Sequence, residues 1–167
     1  ERQWRLLIRK EIRELNVNPF ILNVRNGLYN VLENTLQEHS ADYYSTIQLN
    51  VNYDPQADCP LFKKFLLDSM GGDKEQVALL QEMLGYFLIQ INSAQKCFVI
   101  VGAAGAGKSV LLRVLNELLL GKENVSNVSW QALNERFKTA ELFGKLANVF
   151  ADLPTKNIDD NGIFKIH

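Results

Sequence analysis

A mixed α/β fold is predicted by three observations. Apolar residues recur at helical spacing over 2–15, 60–70 and 74–92, which places them on one face of each helix. Short apolar runs bounded by turn residues mark strands at 20–24, 28–32 and 46–53. A continuous apolar run, Cys97-Phe98-Val99-Ile100-Val101, then enters Gly102-Ala103-Ala104-Gly105-Ala106-Gly107-Lys108-Ser109 and a further apolar stretch. Buried parallel strand, glycine-rich turn and helix, in that order, make the first half of a P-loop nucleotide-binding core with a short parallel sheet. The expected architecture is therefore a mainly helical N-terminal part with a few strands, residues 1–92, followed by that core, truncated at its C-terminal end, residues 93–167.

The first helix carries Trp4, Leu7, Ile8, Ile12 and Leu15 on one face and Arg2, Arg5, Arg9 and Arg13 on another. Glu11 and Glu14 dilute the arginine stripe, so it reads as a solvated face rather than a nucleic-acid contact. Phe20 to Val24 and Leu28 to Leu32 flank Arg25-Asn26-Gly27, a hairpin signal, because Asn-Gly supplies the positive φ angles of tight turns. Thr46 to Tyr53 is a further strand ending at Asp54-Pro55. Pro60 to Met70 is a short helix closed by Gly71-Gly72, and Asp73 with Gln76 forms a capping-box pattern. The helix after it is predicted to reach Asn92 and to bury Val77, Leu80, Leu84, Phe87, Leu88 and Ile91.

Beyond the glycine-rich turn, Lys108 to Leu120 is apolar almost all round, as in a helix packed on several sides, and Gly121 ends it. Ser129 and Thr139 are predicted N-caps of two short helices carrying Trp130, Leu133, Phe137, Leu142 and Phe143. Leu146 to Ala151 is a second apolar strand, ending at Asp152. Repeats and low-complexity segments are absent from the sequence.

The chemistry rests on the motif GxxxxGKS. Glycines let the backbone curl with its N–H groups facing an anion, the lysine reaches terminal phosphates, and the serine hydroxyl ligates Mg²⁺. A helix N-terminus adds partial positive charge there. Chance alone produces this pattern on the order of once in two hundred chains of this length, and the flanking strand and helix signals lower those odds. The predicted cradle for ATP comprises Gly102, Ala103, Ala104, Gly105, Ala106, Gly107, Lys108, Ser109 and Val110. A nucleotide hydrolase also needs an acidic residue at a neighbouring strand end to hold Mg²⁺, and Asp152 is the candidate. Lys108 and Asp152 are thus the predicted catalytic residues, with Ser109 and Asp152 as metal ligands. Asp159 and Asp160 lie in a polar loop and read as solvated. His39 and His167 lack ligand spacing, and Tyr43, Tyr44 and Tyr53 read as packing residues rather than base-stacking ones.

Composition bounds the rest. The 167 residues are 47% hydrophobic and 22% charged, with a net charge of −1, so any nucleic-acid contact must be local rather than a property of the whole surface. Cys59 and Cys97 read as packed free thiols in a reducing compartment. The apolar stretches fall short of the roughly 18 residues a membrane span needs, and the N-terminus does not resemble a signal peptide. A cytoplasmic protein is expected. A start at Glu1 and a stop at His167 suggest a piece of something longer.

Several blocks resemble a known family. Asn50-Val51-Asn52-Tyr53-Asp54-Pro55-Gln56-Ala57-Asp58-Cys59-Pro60, followed by Phe62 and Phe65-Leu66, resembles the segment preceding the ATPase in phage and plasmid primase-helicases. Gln81-Glu82-Met83-Leu84-Gly85-Tyr86 is similar to the next block. Asp152-Leu153-Pro154 and Gly162-Ile163-Phe164-Lys165 resemble the surroundings of the family's second motif. These blocks identify the chain, from about Leu22 to His167, with superfamily III helicases.

The resemblance implies a homo-hexameric ATPase ring that moves on single-stranded DNA during replication of a phage or mobile element in a bacterial cytoplasm. It implies that Lys108 contacts the β and γ phosphates, Ser109 ligates Mg²⁺, and Asp152 completes the metal site. The family's paired acidic residues are missing, since Ala151 and Leu153 flank Asp152, so no residue is assigned as the base that orients water. The family's asparagine sensor, DNA-contacting hairpin and arginine finger are expected beyond residue 167. Two other readings stay open: a P-loop kinase of a small molecule or nucleoside, and a non-hydrolysing nucleotide-binding oligomerisation module.

Overall fold

A computed structural model describes residues 15–150. The predicted helix over 2–15, apart from Leu15, lies outside the described residues, as do Asp152, Asp159, Asp160, His167 and the block at 162–165.

The hairpin forms as predicted. β1 (Ile21–Val24) pairs antiparallel with β2 (Gly27–Asn30), in register from Ile21 opposite Asn30 to Val24 opposite Gly27. Only Gly27 takes a positive φ, 153°, and a Cβ there would stand 2.2 Å from the Gln37 carbonyl oxygen. That carbonyl belongs to β3 (Thr35–Gln37), antiparallel to β2, a strand too short and exposed to carry a periodic signal.

Residues 46–53 do not form the predicted strand, although their side chains alternate as one. Ile47 and Leu49 are buried and Gln48 and Asn50 exposed. The segment runs parallel to β1 through two backbone bonds, Leu49 N–H to the Asn23 carbonyl at 2.8 Å and Arg25 N–H to the Val51 carbonyl at 2.9 Å, beside side-chain bonds from Gln48 to Asn23 and from Arg25 to Asn50. Past the hairpin turn the Asn26 side chain replaces a strand, donating to the Tyr53 carbonyl and accepting from the Tyr53 N–H, both at 2.9 Å.

Helices follow. α1 (Pro60–Ser69) has proline in its first turn, where the missing N–H costs nothing. Asp58 accepts from Cys59 N–H at 2.8 Å and from Lys63, and that lysine contact, ahead of the amide, holds the Asp58 carboxyl below its usual range. Gly71 and Gly72 end the helix at φ 62° and 87°. Asp73 caps α2 (Lys74–Tyr86), accepting from Glu75 N–H at 2.9 Å and Gln76 N–H at 3.1 Å. The returning arm of the capping box is altered: Gln76 Nε2 donates to the Asp73 carboxylate itself, 3.1 Å. α2 stops at Tyr86 rather than near Asn92. There Tyr86 and Phe87 turn their rings against Phe98, with centroids 6.3 and 5.5 Å apart, and this packing takes the place of further helix. Of its apolar face Met83 is buried, while Leu80, Leu84, Phe87 and Leu88 are half-buried.

The predicted strand Cys97–Val101 is absent. Residues 96–103 carry no regular structure, Val101 is 88% exposed, and Cys97, like Cys59, is an exposed free thiol rather than a packed one. A strand exists only through its neighbours, and among the described residues no chain pairs with this one. Among the described residues no P-loop core is seen around it. The short parallel sheet arises elsewhere, between β4 (Val125–Ser126) and β5 (Ala147–Asn148). β5 is the middle of the predicted strand 146–151. Asn148 extends the pairing by side chain, accepting from Val128 N–H at 2.8 Å and donating to the Val128 carbonyl at 2.9 Å.

The helix after the glycine-rich turn begins as α3 (Lys108–Arg113) and continues as a π-helix over Val114–Leu119. Leu120 N–H bonds the Leu115 carbonyl at 2.9 Å, five residues back. The wider turn keeps Leu111, Leu115 and Leu120 buried, whereas Val110 and Leu118 face solvent, so the helix is one-sided, not packed all round. Of the two predicted short helices, only single turns form, at Ala132–Asn134 and Lys138–Leu142. Ser129 caps the first, accepting from Ala132 N–H at 3.2 Å. Thr139 lies inside the second, which Phe137 precedes at φ 71°. Phe137 and Phe143 are exposed; Trp130, Leu133 and Leu142 are half-buried.

Val24, Leu49, Leu115, Leu120, Val125 and Ala147 form the core. It draws on both sides of residue 92. Among the described residues no helix is long and apolar enough to cross a membrane.

Leu120 has no exposed surface, so Leu120→Ala should cost about 2–5 kcal/mol in denaturant unfolding, against about 0.5 kcal/mol or less for exposed Leu118→Ala. Equal losses would rule out this core. Asp73 supplies a pH test, because the Gln76 backbone N–H, then its side chain and the Glu75 N–H, hold the Asp73 carboxyl below its usual range. A lowered folded pKa adds stability above the unfolded value and loses it as pH falls through the folded one. Wild type should therefore melt above Asp73→Asn at neutral pH, with the gap closing below about pH 4. A gap that ignores pH would contradict the charged cap.

Candidate phosphate-binding loop

The turn from Gly102 to Ser109 is built by two glycines in the left-handed region and one lysine. Gly105 has φ 78° and Gly107 φ 85°, conformations that cost an L-residue roughly 1–2 kcal/mol. Gly107 is also the N-cap of α3. Ala106 N–H closes the turn on the Ala103 carbonyl at 3.2 Å. The Lys108 side chain folds back over it, donating to the carbonyls of Gly102 at 2.6 Å and Ala103 at 2.8 Å. An ammonium has three donors, so this grip takes two and pins the charge beside the turn. At Gly102 an added Cβ would meet Ala106 Cβ at 3.5 Å and the lysine side chain at 3.8–3.9 Å, ordinary contact distances, so the lysine's position does not require a glycine there.

The first intrahelical bond of α3 is Leu111 N–H to the Gly107 carbonyl, 3.0 Å. The amides of Lys108, Ser109 and Val110 precede it, and such first-turn N–H groups have no helical acceptor. Ser109 and Val110 are solvent-exposed. The sequence thus brings Gly102 to Val110 together as one local unit, and the structure gives that unit a fixed lysine.

Clefts lie on both sides. A groove of about 550 Å³ runs between α1 and the turn, bordered by Leu61, Lys64, Phe65, Asp68 and Ser69 on the helix and by Gly105 to Gly107 opposite. On the other side Lys108 and Ser109 border a cleft of about 950 Å³ walled in part by Tyr86, Phe98 and Trp130. Among the described residues no three His, Cys, Asp or Glu side chains converge on a metal position. A Ser109 hydroxyl with phosphate oxygens and water still suits Mg²⁺, which takes few protein ligands and keeps several waters. Asp152, its expected companion, lies outside the described residues.

Phe65 and Ser69 were not singled out as site residues by the sequence, where α1 reads as a short helix and Phe65 enters only as part of the family resemblance. Their spacing of four places them on one helix face, which was legible; that this face meets the turn was not. A Cβ on Gly107 would sit 2.8 Å from Phe65 Cε2 and Cζ and 3.1 Å from Ser69 Oγ, whereas one on Gly105 meets nothing within 4 Å. Gly105→Ala should therefore cost about 1–2 kcal/mol, the left-handed strain alone, and Gly107→Ala measurably more by thermal unfolding. Equal costs would mean that α1 does not press on the turn.

Two family comparisons bear on this arrangement. Residues 1–71 match the family described as D5 N terminal like, and residues 100–166 match a family of unknown function, DUF5906. No curated protein matches the chain. The first match ends just after α1 and the second begins just before the turn. The D5 N terminal like domain is the N-terminal region of phage and plasmid D5-like primase-helicase proteins, and over residues 1–71 this chain is similar to it.

Proposed function

We propose that the chain is part of an ATP-dependent DNA helicase of a phage or mobile-element replication protein, and that it binds ATP and Mg²⁺ at Gly102–Val110. The observation that carries this reading is the GxxxxGKS turn with Lys108 held on its own carbonyls at the start of α3. The similarity of residues 1–71 to the N-terminal region of D5-like primase-helicases supports the replication setting. In this reading residues 1–92 are a pre-helicase domain and 93–167 an ATPase core, acting as a homo-hexamer on single-stranded DNA in the host cytoplasm.

The chain's own groups divide the work. The amides of Gly105 and of Gly107 to Val110 donate to phosphate oxygens, which are better met by preorganised N–H groups than by water. Lys108 places its charge where the β and γ phosphates lie. Ser109 gives Mg²⁺ a hydroxyl ligand, and Asp152 holds a metal-bound water. The flanking clefts, about 550 and 950 Å³, match the usual range of small-molecule sites.

Losing Lys108 removes charge-assisted bonds, so Lys108→Ala should weaken ATP·Mg²⁺ binding by roughly ten- to a hundredfold, measured by titration calorimetry or a fluorescent ATP analogue. Unchanged affinity would remove the nucleotide reading. In the full-length protein, turnover should rise with single-stranded DNA and not with small phosphate acceptors; the opposite pattern would make the protein a kinase.

A further inference from the structure

The geometry points to α1 as a working part of the nucleotide site: Phe65 and Ser69 are positioning residues that set the conformation of the phosphate loop through Gly107. This rests on the nucleotide reading above. It adds that the segment similar to the D5 N-terminal region and the segment matched from residue 100 build one site together.

Gly107 is where the turn becomes helix, and its φ of 85° aims the amides on either side of it. Most glycines at such positions are held by the chain's own geometry. Here a second element closes on it, because the space a Cβ would need is taken by the Phe65 ring edge at 2.8 Å and Ser69 Oγ at 3.1 Å. The ring is itself fixed. Phe62 stacks with it at 6.0 Å between centroids, and the next residue, Leu66, is buried. Lys64 and Asp68, each one residue before Phe65 and Ser69, pair at 2.5 Å on the groove's rim.

A loop anchored this way has few conformations left to lose when it closes on phosphate, which raises affinity by lowering the ordering cost. The contact also works in reverse. Whatever displaces α1 changes the aim of the Gly107 and Lys108 amides, and Gly71-Gly72, both at positive φ, end the helix on its C-terminal side.

The test uses the whole chain and ATP·Mg²⁺ titration. Phe65→Ala should weaken binding about tenfold, Phe65→Leu should restore most of it, and Lys63→Ala, which trims an exposed side chain of the same helix that does not border the groove, should leave it unchanged. Hydrogen exchange on the wild type needs no variant: ATP·Mg²⁺ should slow exchange in Phe65–Met70 as well as in 102–109. Wild-type affinity in Phe65→Ala, an equal loss in Lys63→Ala, or protection confined to 102–109 overturns the role of α1 and leaves nucleotide binding standing. If wild type and Lys108→Ala bind alike, the nucleotide reading itself has failed. Should Phe65→Ala not fold, the exchange measurement decides alone.

Discussion

The Asn124 side-chain amide donates to the Gln48 carbonyl at 2.8 Å and to the Leu120 carbonyl at 2.7 Å, beside the apolar cluster of Leu49, Leu115, Leu120 and Val125. These bonds join chain positions 76 residues apart. Burying a polar amide without partners costs about 1–3 kcal/mol, so the cluster can close only in the arrangement that satisfies both donors. That arrangement fixes several things together. It sets the extended segment 47–53 beside β1, ends the π-turn at Leu120, and starts β4 one residue after Asn124. Apolar contact alone would hold these elements loosely; the amide gives them a register.

The loop depends on this arrangement at one remove. Leu111 and Leu115 are buried in the same helical run that begins at Lys108, so the direction of α3, and with it the aim of the first-turn amides, follows from how the leucines pack. The π-turn is the local adjustment that lets both ends be satisfied. Six α-helical residues project from the loop and six wider-wound residues carry Leu115 and Leu120 into the core. From the other side α1 meets Gly107. The glycine-rich turn is thus held between a packed helix and an aromatic ring, while its own edge, with Ser109 and Val110, stays exposed.

Features written in local chemistry were legible. The Gly27 hairpin, the Pro60 start and Gly71-Gly72 end of α1, the Asp73 cap and the Ser129 cap all depend on groups within a few residues of one another. The burial alternation of Ile47 and Leu49 was also readable, because period two follows from the backbone itself. Features that depend on a distant partner were not. Cys97 to Val101 has the composition of a buried strand, yet composition does not name a neighbour, and β4 and β5 pair with each other instead. Likewise α2 ends where Tyr86 and Phe87 meet Phe98, a contact across residues that helical periodicity cannot see.

For the candidate site the division is the same. The sequence by itself determined the loop: residue types from Gly102 to Val110 specify positive φ at Gly105 and Gly107, a helix start and a lysine able to reach the Gly102 and Ala103 carbonyls, because all of these act within eight residues. Tertiary structure alone decided what surrounds the loop. It put Phe65 and Ser69 against Gly107, opened a cleft on either side, and tied Gln48 to Leu120 through Asn124. Each of these needs two distant segments to meet, and that meeting is decided by which apolar surfaces and buried polar groups can be satisfied together.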